Sequence, residues 1–181
     1  SDKNELKGRY ADTTRANFSR TMVISVFSFT EVARKAAAMM TAGGTLLTLT
    51  YGGSTRVMPN YNVMGVAKAA LESSVRYLAA DFGSEGIRVN AISAGPVRTL
   101  AGSGVTDARL MFNFQKKNAP LKRTVTIDEV GRSALYLLSD LSSGVTGEVH
   151  FVDSGYSIMS MPRIEELKEQ DRRESAEGPT G

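Results

Sequence analysis

The 181-residue sequence contains no cysteine, no tryptophan and a single histidine, His150. These absences exclude a disulfide scaffold, a thiol nucleophile and catalytic or zinc sites that need several histidines or cysteines. No apolar run approaches the roughly 18 residues of a membrane span, and the polar first residues do not form a secretion signal. The 22 Lys and Arg against 19 Asp and Glu form no long basic run. We therefore expect a cytoplasmic domain without membrane or nucleic-acid partners.

Glycines and helix-capping residues divide the chain into alternating helices and strands. Apolar spacing predicts helices from the capping candidates at 12–14 to Met40, from about Asn60 to Phe82, and from a capping box at Thr126 and Glu129 to about Ser139. Short runs bounded by turns predict strands over 45–50, 87–92 and 148–152. We expect residues 97–125 to form a long, partly helical insertion and residues 167–181 to form a charged, disordered tail.

Strands separated by helices of this length predict a parallel sheet with helices on both faces, which defines the α/β class. A doubly wound, Rossmann-like sheet has two halves of about three strands each. Three strands therefore indicate one half of such a fold, within a single domain over residues 1–166.

Tyr51, Tyr61 and Lys68 carry the best chemical signal. Tyr61 and Lys68 are seven residues apart, which places them on one helix face about 10 Å apart along its axis. We expect the nearby ammonium to lower the pKa of the Tyr61 phenol. Tyr51 follows a strand end, where open parallel sheets bind ligands. A Tyr and a Lys at this spacing are more typical of helices that only pack, so the spacing alone assigns no catalysis.

Four stretches add a more specific signal: Tyr51–Gly53, Pro59–Lys68, Ile87–Thr99 and Val152–Tyr156. In order and spacing they resemble the bacterial enoyl-acyl-carrier-protein reductases, a divergent branch of the short-chain dehydrogenase/reductase superfamily. The resemblance extends from about Leu6 to about Glu166. Ordinary superfamily members have Lys four residues after the catalytic Tyr, where this chain has Gly65, and Ser where it has Tyr51. Both departures favour the enoyl-reductase branch.

The resemblance implies NADH-dependent reduction of a trans-2-enoyl thioester, the last reductive step of fatty-acid elongation. It makes Tyr61 the hydrogen-bond donor to the enolate oxygen, Lys68 the ligand of the nicotinamide ribose, and Tyr51 an auxiliary tyrosine beside the substrate. The implied cofactor contacts also include Thr50, Gly95, Pro96, Val97, Arg98, Thr99, Leu100 and Ala101.

Substrate and partner contacts follow from the same resemblance. Met64, Ala101 and Met111 are candidates for an apolar wall around the acyl chain, or else ordinary core residues. The implied partners are an acidic acyl-carrier protein and further copies of the chain in a homotetramer. Four basic residues are candidates for steering the carrier, or else a solvated face: Arg109, Lys116, Lys117 and Arg123. His150 carries no implied chemistry and is interpreted as structural.

The chain has no G-x-G-x-x-G phosphate-binding motif between a strand and a helix. Its resemblance covers only the C-terminal two-thirds of the family's chain, so we expect a fragment that lacks the N-terminal cofactor-binding segment and is inactive alone. The choice between NADH and NADPH therefore stays open. Two alternatives remain: a related reductase of 3-oxoacyl thioesters, against which Gly65 argues, and an inactive fragment that serves as an assembly module.

Overall fold

The structure, a computed structural model, describes residues 6–97 and 108–177 and contains a three-stranded parallel sheet. The strands, in spatial order, are β1 (Gly44–Thr50), β2 (Ile87–Ala94) and β3 (Val149–Val152). The helices are α1 (Arg15–Met22), α2 (Ser28–Ala37), α3 (Asn62–Phe82), α4 (Ala108–Asn118), α5 (Ile127–Leu138) and α6 (Ile164–Glu177). The predicted α/β class and the parallel pairing are confirmed.

Side chains of β2 alternate between two helical layers. Val89 and Ala91 are buried in one core cluster with Val75 and Leu78 of α3. On the other face, the guanidinium of Arg88 donates to carbonyl oxygens at the end of α5, including that of Leu137 at 3.0 Å. Helices therefore cover both faces of the sheet, as its strand and helix lengths predict.

The first predicted helix is continuous but not regular. Of the three capping candidates, Thr14 is the N-cap, and its hydroxyl accepts a hydrogen bond from the backbone N–H of Asn17 at 3.2 Å. A π-helical turn, Val23–Phe27, joins α1 to α2, and its Val26 packs in a second buried cluster with Leu71 of α3. A π turn widens the helix by one residue, which apolar spacing does not reveal.

Other boundaries differ modestly from expectation. The capping box of α5 is present, β2 continues two residues further than predicted, and α4 is the helical part of the insertion. The prediction of a disordered tail from residue 167 onward is wrong up to residue 177, because α6 occupies that segment. Glu166 of α6 forms ion pairs with Lys117 and Lys122, which connect this helix to α4 and the turn after it. No helix in the described part of the chain has the length and apolarity to cross a membrane.

The sheet ends at β1 on one side. Among the described residues no strand pairs with its outer edge, and the side chain of Leu49 is 55% exposed. An unpaired, apolar strand edge is a site at which another strand adds. The described part of the sheet therefore has an exposed edge at β1.

Candidate functional site

The carboxyl ends of the three strands meet at one edge of the sheet. Thr50 of β1 is in register with Ser93 of β2, and Ala94 of β2 with Val152 of β3. A cavity of about 740 Å³ opens at this edge. Its wall is largely apolar and contains Tyr51, Val57, Met58, Pro59, Asn60, Pro96, Leu110, Met111, Asn113, Phe114, Gln115, Lys117 and Tyr156. The ligand crevice that open parallel sheets form is thus present where Tyr51 leaves β1.

Tyr51 and Tyr61 lie in contact. Their ring centroids are 5.2 Å apart at an interplanar angle of 71°, an edge-to-face pair. Tyr51 lines the 740 Å³ cavity, whereas Tyr61, the N-cap residue of α3, lines a neighbouring cavity of about 430 Å³. The two cavities share Val57 and Met58 in their walls. The two tyrosines that the sequence singles out therefore form one cluster between two adjacent cavities.

Burial controls the ionisation of both phenols. It raises the pKa of Tyr61 above its ordinary value, and the neighbouring Tyr51 adds to that rise. Burial also raises the pKa of Tyr51, with a smaller contribution from Tyr156. The expected lowering of the Tyr61 pKa by Lys68 is wrong, because desolvation of the phenolate dominates. Both groups are thus hydrogen-bond donors throughout the neutral range.

Lys68 is fixed to the end of β1 from the second turn of α3. Its Nζ donates to the backbone carbonyl of Leu49 at 2.8 Å. Burial lowers the pKa of Lys68, and the carboxylate of Glu72, one helical turn further, opposes that shift. Glu72 is only 7% exposed and accepts a 2.6 Å hydrogen bond from the hydroxyl of Thr50. Two turns of α3 are therefore tied to the last residues of β1.

Sequence reasoning missed Glu72, because a carboxylate on a helix is ordinarily solvated. The only local signal is its position one turn after Lys68, on the same face of the predicted helix. Its burial depends on Thr50, 22 residues away, which supplies the hydrogen bond that a buried carboxylate needs.

The predicted cofactor-binding residues divide into three groups. The hydroxyl of Thr50 is already used by Glu72. The N–H of Gly95 donates to the carbonyl of Val152 at 2.8 Å, and Pro96 lines the large cavity, with Val97 next to it in sequence. The remaining predicted residues lie outside the described part of the chain: Arg98, Thr99, Leu100 and Ala101. A Cβ at Gly95 would lie 2.8 Å from Nε2 of Gln115 and 3.0 Å from the backbone Cα of Asp153, so the packing around this position disfavours a side chain.

The three candidates for an apolar wall behave differently. Met111 lines the 740 Å³ cavity. Met64 is not in that wall, and its sulfur accepts a 3.8 Å hydrogen bond from Ser25 of the π turn. Ala101 lies outside the described residues. The structure therefore brings one of the three predicted residues to the cavity and assigns Met64 to contacts between helices.

Two aromatic residues in the cavity wall were not predicted as site residues. Tyr156 lies in the turn after β3, and its ring centroid is 6.4 Å from that of Phe114 in α4. The guanidinium of Arg56 donates to the carbonyls of Tyr156 and Met159 at 3.4 and 2.8 Å, which holds this turn against the loop after β1. Tyr156 closes one of the four stretches that carry the family resemblance, so its place in sequence was a usable signal.

The basic candidates divide between paired and exposed positions. Arg123 makes two hydrogen bonds to the carboxylate of Glu129, at 2.6 and 2.9 Å, and Lys117 pairs with Glu166 at 3.7 Å beside the cavity. Arg109 and Lys116 are exposed on α4. His150 is paired with Ile92 in the sheet, and its ring centroid lies 6.3 Å from that of Tyr136, contacts that suit a structural interpretation.

Comparisons with known proteins agree on one family. The model of the family described as enoyl-(acyl carrier protein) reductase matches residues 1–157. The enoyl-acyl-carrier-protein reductase (NADH) 2 of Rhizobium meliloti (strain 1021) is 77% identical over 171 residues, which are 94% of this chain and 64% of that protein. The chain thus spans less than two thirds of this relative's length.

Solved structures agree with the sequence comparisons. The crystal structure of FabI from Candidatus Liberibacter asiaticus superimposes with a TM-score of 0.87 at 61% identity, over 90% of this chain and 63% of that one. The enoyl-(acyl-carrier-protein) reductase of Anaplasma phagocytophilum, solved in complex with NAD, gives 0.87 at 58% identity, over 91% and 63%.

Proposed function

Because the chain belongs to the enoyl-(acyl carrier protein) reductase family, we propose that the protein carrying it reduces trans-2-enoyl-acyl-carrier-protein to the saturated acyl-carrier-protein with NADH. This reaction is the last reductive step of fatty-acid elongation. The observation that carries the proposal is the cluster of Tyr51, Tyr61 and Lys68 at the carboxyl end of β1, beside an apolar cavity large enough for an acyl chain.

Tyr61 donates a hydrogen bond to the thioester oxygen as negative charge builds there. A preorganised donor in a site shielded from water stabilises such charge better than water does. Burial raises the pKa of Tyr61, so the phenol carries the proton that this hydrogen bond needs at neutral pH. Tyr51 packs edge-on against Tyr61 and fixes the plane of that ring. The proton that completes the product at the α-carbon then comes from solvent.

Lys68 fits the role of a ribose ligand. An ammonium has three N–H donors, and the carbonyl of Leu49 accepts one of them, which leaves two for ribose hydroxyls. Pro96 and Val97 continue the same edge of the sheet after β2. When bound there, reduced nicotinamide supplies the hydride for the β-carbon of the enoyl group. The adjacent Glu72 favours the charged form of Lys68 despite its burial.

The same proposal includes the partners. Arg109 and Lys116 are exposed on α4, whose Met111 lines the cavity, and they offer positive charge to an acidic carrier protein.

A homotetramer is supported by exposed apolar side chains on the first helix, with 58% of Ile24 and 57% of Phe27 accessible. We place the reaction in the cytoplasm, together with its carrier-bound substrate. Sedimentation equilibrium tests the assembly, and a monomer would contradict it.

The direct test measures NADH oxidation by the purified protein with a short trans-2-enoyl thioester and with its 3-oxoacyl analogue. We expect oxidation with the enoyl substrate only. Oxidation with the 3-oxoacyl substrate alone would identify a different reductase of the superfamily. Failure to bind NADH in a fluorescence titration, with neither substrate consumed, would favour an assembly module.

A further inference from the structure

The loop after β1 lies unusually close to the first turns of α3, and two glycines make this approach possible. A Cβ added to Gly65 would lie 2.7 Å from the carbonyl oxygen of Gly53. A Cβ added to Gly53 would lie 2.5 Å from Cδ1 and 2.8 Å from Cε1 of Tyr61. Neither glycine has a positive φ, so the backbone conformation itself admits any residue. Space, rather than φ, requires glycine at both positions.

The first contact also bears on the position of the lysine. Gly65 is four residues after Tyr61, one helical turn along the same face. A side chain there would meet the Gly53 carbonyl, a backbone atom that cannot rotate away. Lys68 begins almost one turn further along α3, beyond this contact, and reaches the carbonyl of Leu49. A lysine seven residues after the tyrosine is therefore compatible with the loop, and one four residues after it is not.

The second contact fixes the tyrosine ring. One edge of the Tyr61 ring faces Gly53, and the ring also packs against Tyr51 at a centroid distance of 5.2 Å. A methyl group at Gly53 would occupy the space of the ring itself, so the ring would have to move. Its hydroxyl, at the far end of the ring, would move with it.

We infer that Gly53 and Gly65 are positioning residues, which leave the space that sets the Tyr61 ring against Tyr51 and which exclude a lysine from position 65. The catalytic part of this inference rests on the proposed function, whereas the packing part does not. Gly53 acts through Tyr61. Gly65 acts mainly through Gly53, since a Cβ there would lie 2.7 Å from the Gly53 carbonyl oxygen but at an ordinary 3.7 Å from Cδ1 of Tyr61.

The test compares two adjacent glycines. Gly53→Ala introduces the contact with Tyr61, whereas a Cβ at Gly52 meets only Cε of Met58 at an ordinary 3.7 Å. Because displacement of a reacting group by about 1 Å costs on the order of 10²-fold in rate, we expect Gly53→Ala to lower kcat by up to that factor. KM for NADH should not change, since Lys68 keeps its contact with Leu49. Gly52→Ala should retain the kcat of the unchanged protein.

A second measurement does not depend on activity. The ring resonances of Tyr61 and Tyr51, in protein with carbon-13-labelled tyrosine and assigned with Tyr61→Phe and Tyr51→Phe, report their mutual ring-current shifts. We expect Gly53→Ala to shift both and Gly52→Ala to shift neither. Unchanged resonances and rate in Gly53→Ala, or equal losses in both glycine variants, would overturn the inference. Shifted resonances in a protein without enoyl reduction would instead refute the proposed function and retain the packing inference.

Two further variants distinguish a displaced Tyr61 ring from a folding defect caused by Gly53→Ala. Gly65→Ala favours the helical conformation of α3, so the loop at Gly53, rather than the helix, should yield to the new Cβ, and the Tyr61 resonance should still shift. An unshifted resonance there would overturn the inference. In the Tyr61→Phe background, Gly53→Ala should cause little further loss of kcat, because the hydroxyl that it displaces is gone. A fully multiplicative loss would show that Gly53 acts elsewhere.

Discussion

Two regions of the molecule contain similar hydrogen bonds that serve different purposes. At the carboxyl end of β1, the half-buried Lys68 bonds to the carbonyl of Leu49, 19 residues away, and Thr50 bonds to the buried Glu72, 22 residues away. At the start of α5, Thr126 and Glu129 bond to each other across three residues on the surface. The buried region joins distant elements around a cavity, whereas the surface region only begins a helix.

The difference teaches where a hydrogen bond carries chemistry. Burial raises the pKa of Tyr61 and lowers that of Lys68, since water no longer stabilises the charged forms. At the start of α5, the guanidinium of Arg123, together with the N–H of Thr126, lowers the pKa of the Glu129 carboxyl to about 2, but the group is exposed. Solvent screening keeps the energetic effect of such an exposed pair small. Substitutions in the two regions should therefore differ in their effects.

The largest effect is expected at Tyr61. Tyr61→Phe removes one donor to a developing oxyanion, which typically costs about 10²- to 10³-fold in kcat. Cofactor affinity should stay nearly unchanged, as measured by NADH fluorescence titration. Tyr51→Phe is the matched control, because it keeps the edge-to-face contact and should cost less. A larger loss in Tyr51→Phe would make Tyr51, which lines the large cavity, the donor instead.

Lys68→Ala should weaken cofactor binding rather than chemistry alone. Loss of hydrogen bonds from a charged donor costs about 1.5–3 kcal/mol, which corresponds to an increase of roughly 10- to 100-fold in the Kd for NADH. Lys35→Ala, at an exposed ion pair on α2, is the control and should leave the Kd unchanged. An unchanged Kd in Lys68→Ala would remove this residue from the binding site.

Glu72→Gln should change the pH dependence of binding. Burial already lowers the pKa of Lys68. As the pH rises, this lysine therefore loses its charge at a pH below the ordinary lysine pKa of about 10.4. Removal of the Glu72 charge lowers that pKa further, and the alkaline rise in the Kd for NADH should move to lower pH. Because the amide oxygen of Gln still accepts from Thr50, the fold is preserved. A profile that does not move would show that Glu72 has no influence on Lys68.

The smallest effect is expected at the surface cap. Thr126→Ala removes the acceptor for the N–H of Glu129, and loss of an N-cap costs about 1 kcal/mol. Urea denaturation should show this decrease in the free energy of unfolding, with kcat unchanged. Thr126→Ser keeps the hydroxyl and should retain the stability. An equal decrease in both variants would mean that the cap contributes nothing.

The same contrast explains what could be predicted from the sequence. The capping box of α5, the N-cap at Thr14 and the apolar spacing of α3 depend on residues close in sequence, and all three are confirmed. The burial of Glu72 and the approach of Tyr156 to the cavity depend on contacts with distant residues, so local patterns did not reveal them. The helix α6 was likewise missed, because its anchoring ion pairs come from α4 and the turn that follows it.

Tyr51, Tyr61 and Lys68 could be singled out because the stretches around them resemble a known family. The contacts that set their properties could not. The net shift of the Tyr61 pKa is opposite to the expected one, because spacing along a helix contains no information on desolvation. The role of Met64 could not be predicted either, since a methionine on this helix face fits a cavity wall and a contact between helices equally well. The contact with Ser25 decides for the second.

The proposed enoyl reduction is tested most sharply by following the hydrogen that NADH transfers to the substrate. The purified protein is given NADH deuterated at the transferable C4 position and a trans-2-enoyl thioester in ordinary water, and the product is examined by mass spectrometry and NMR. Hydride transfer from NADH should leave one deuterium at the β-carbon and a solvent proton at the α-carbon. A saturated product without deuterium, or with deuterium at the α-carbon, would contradict it.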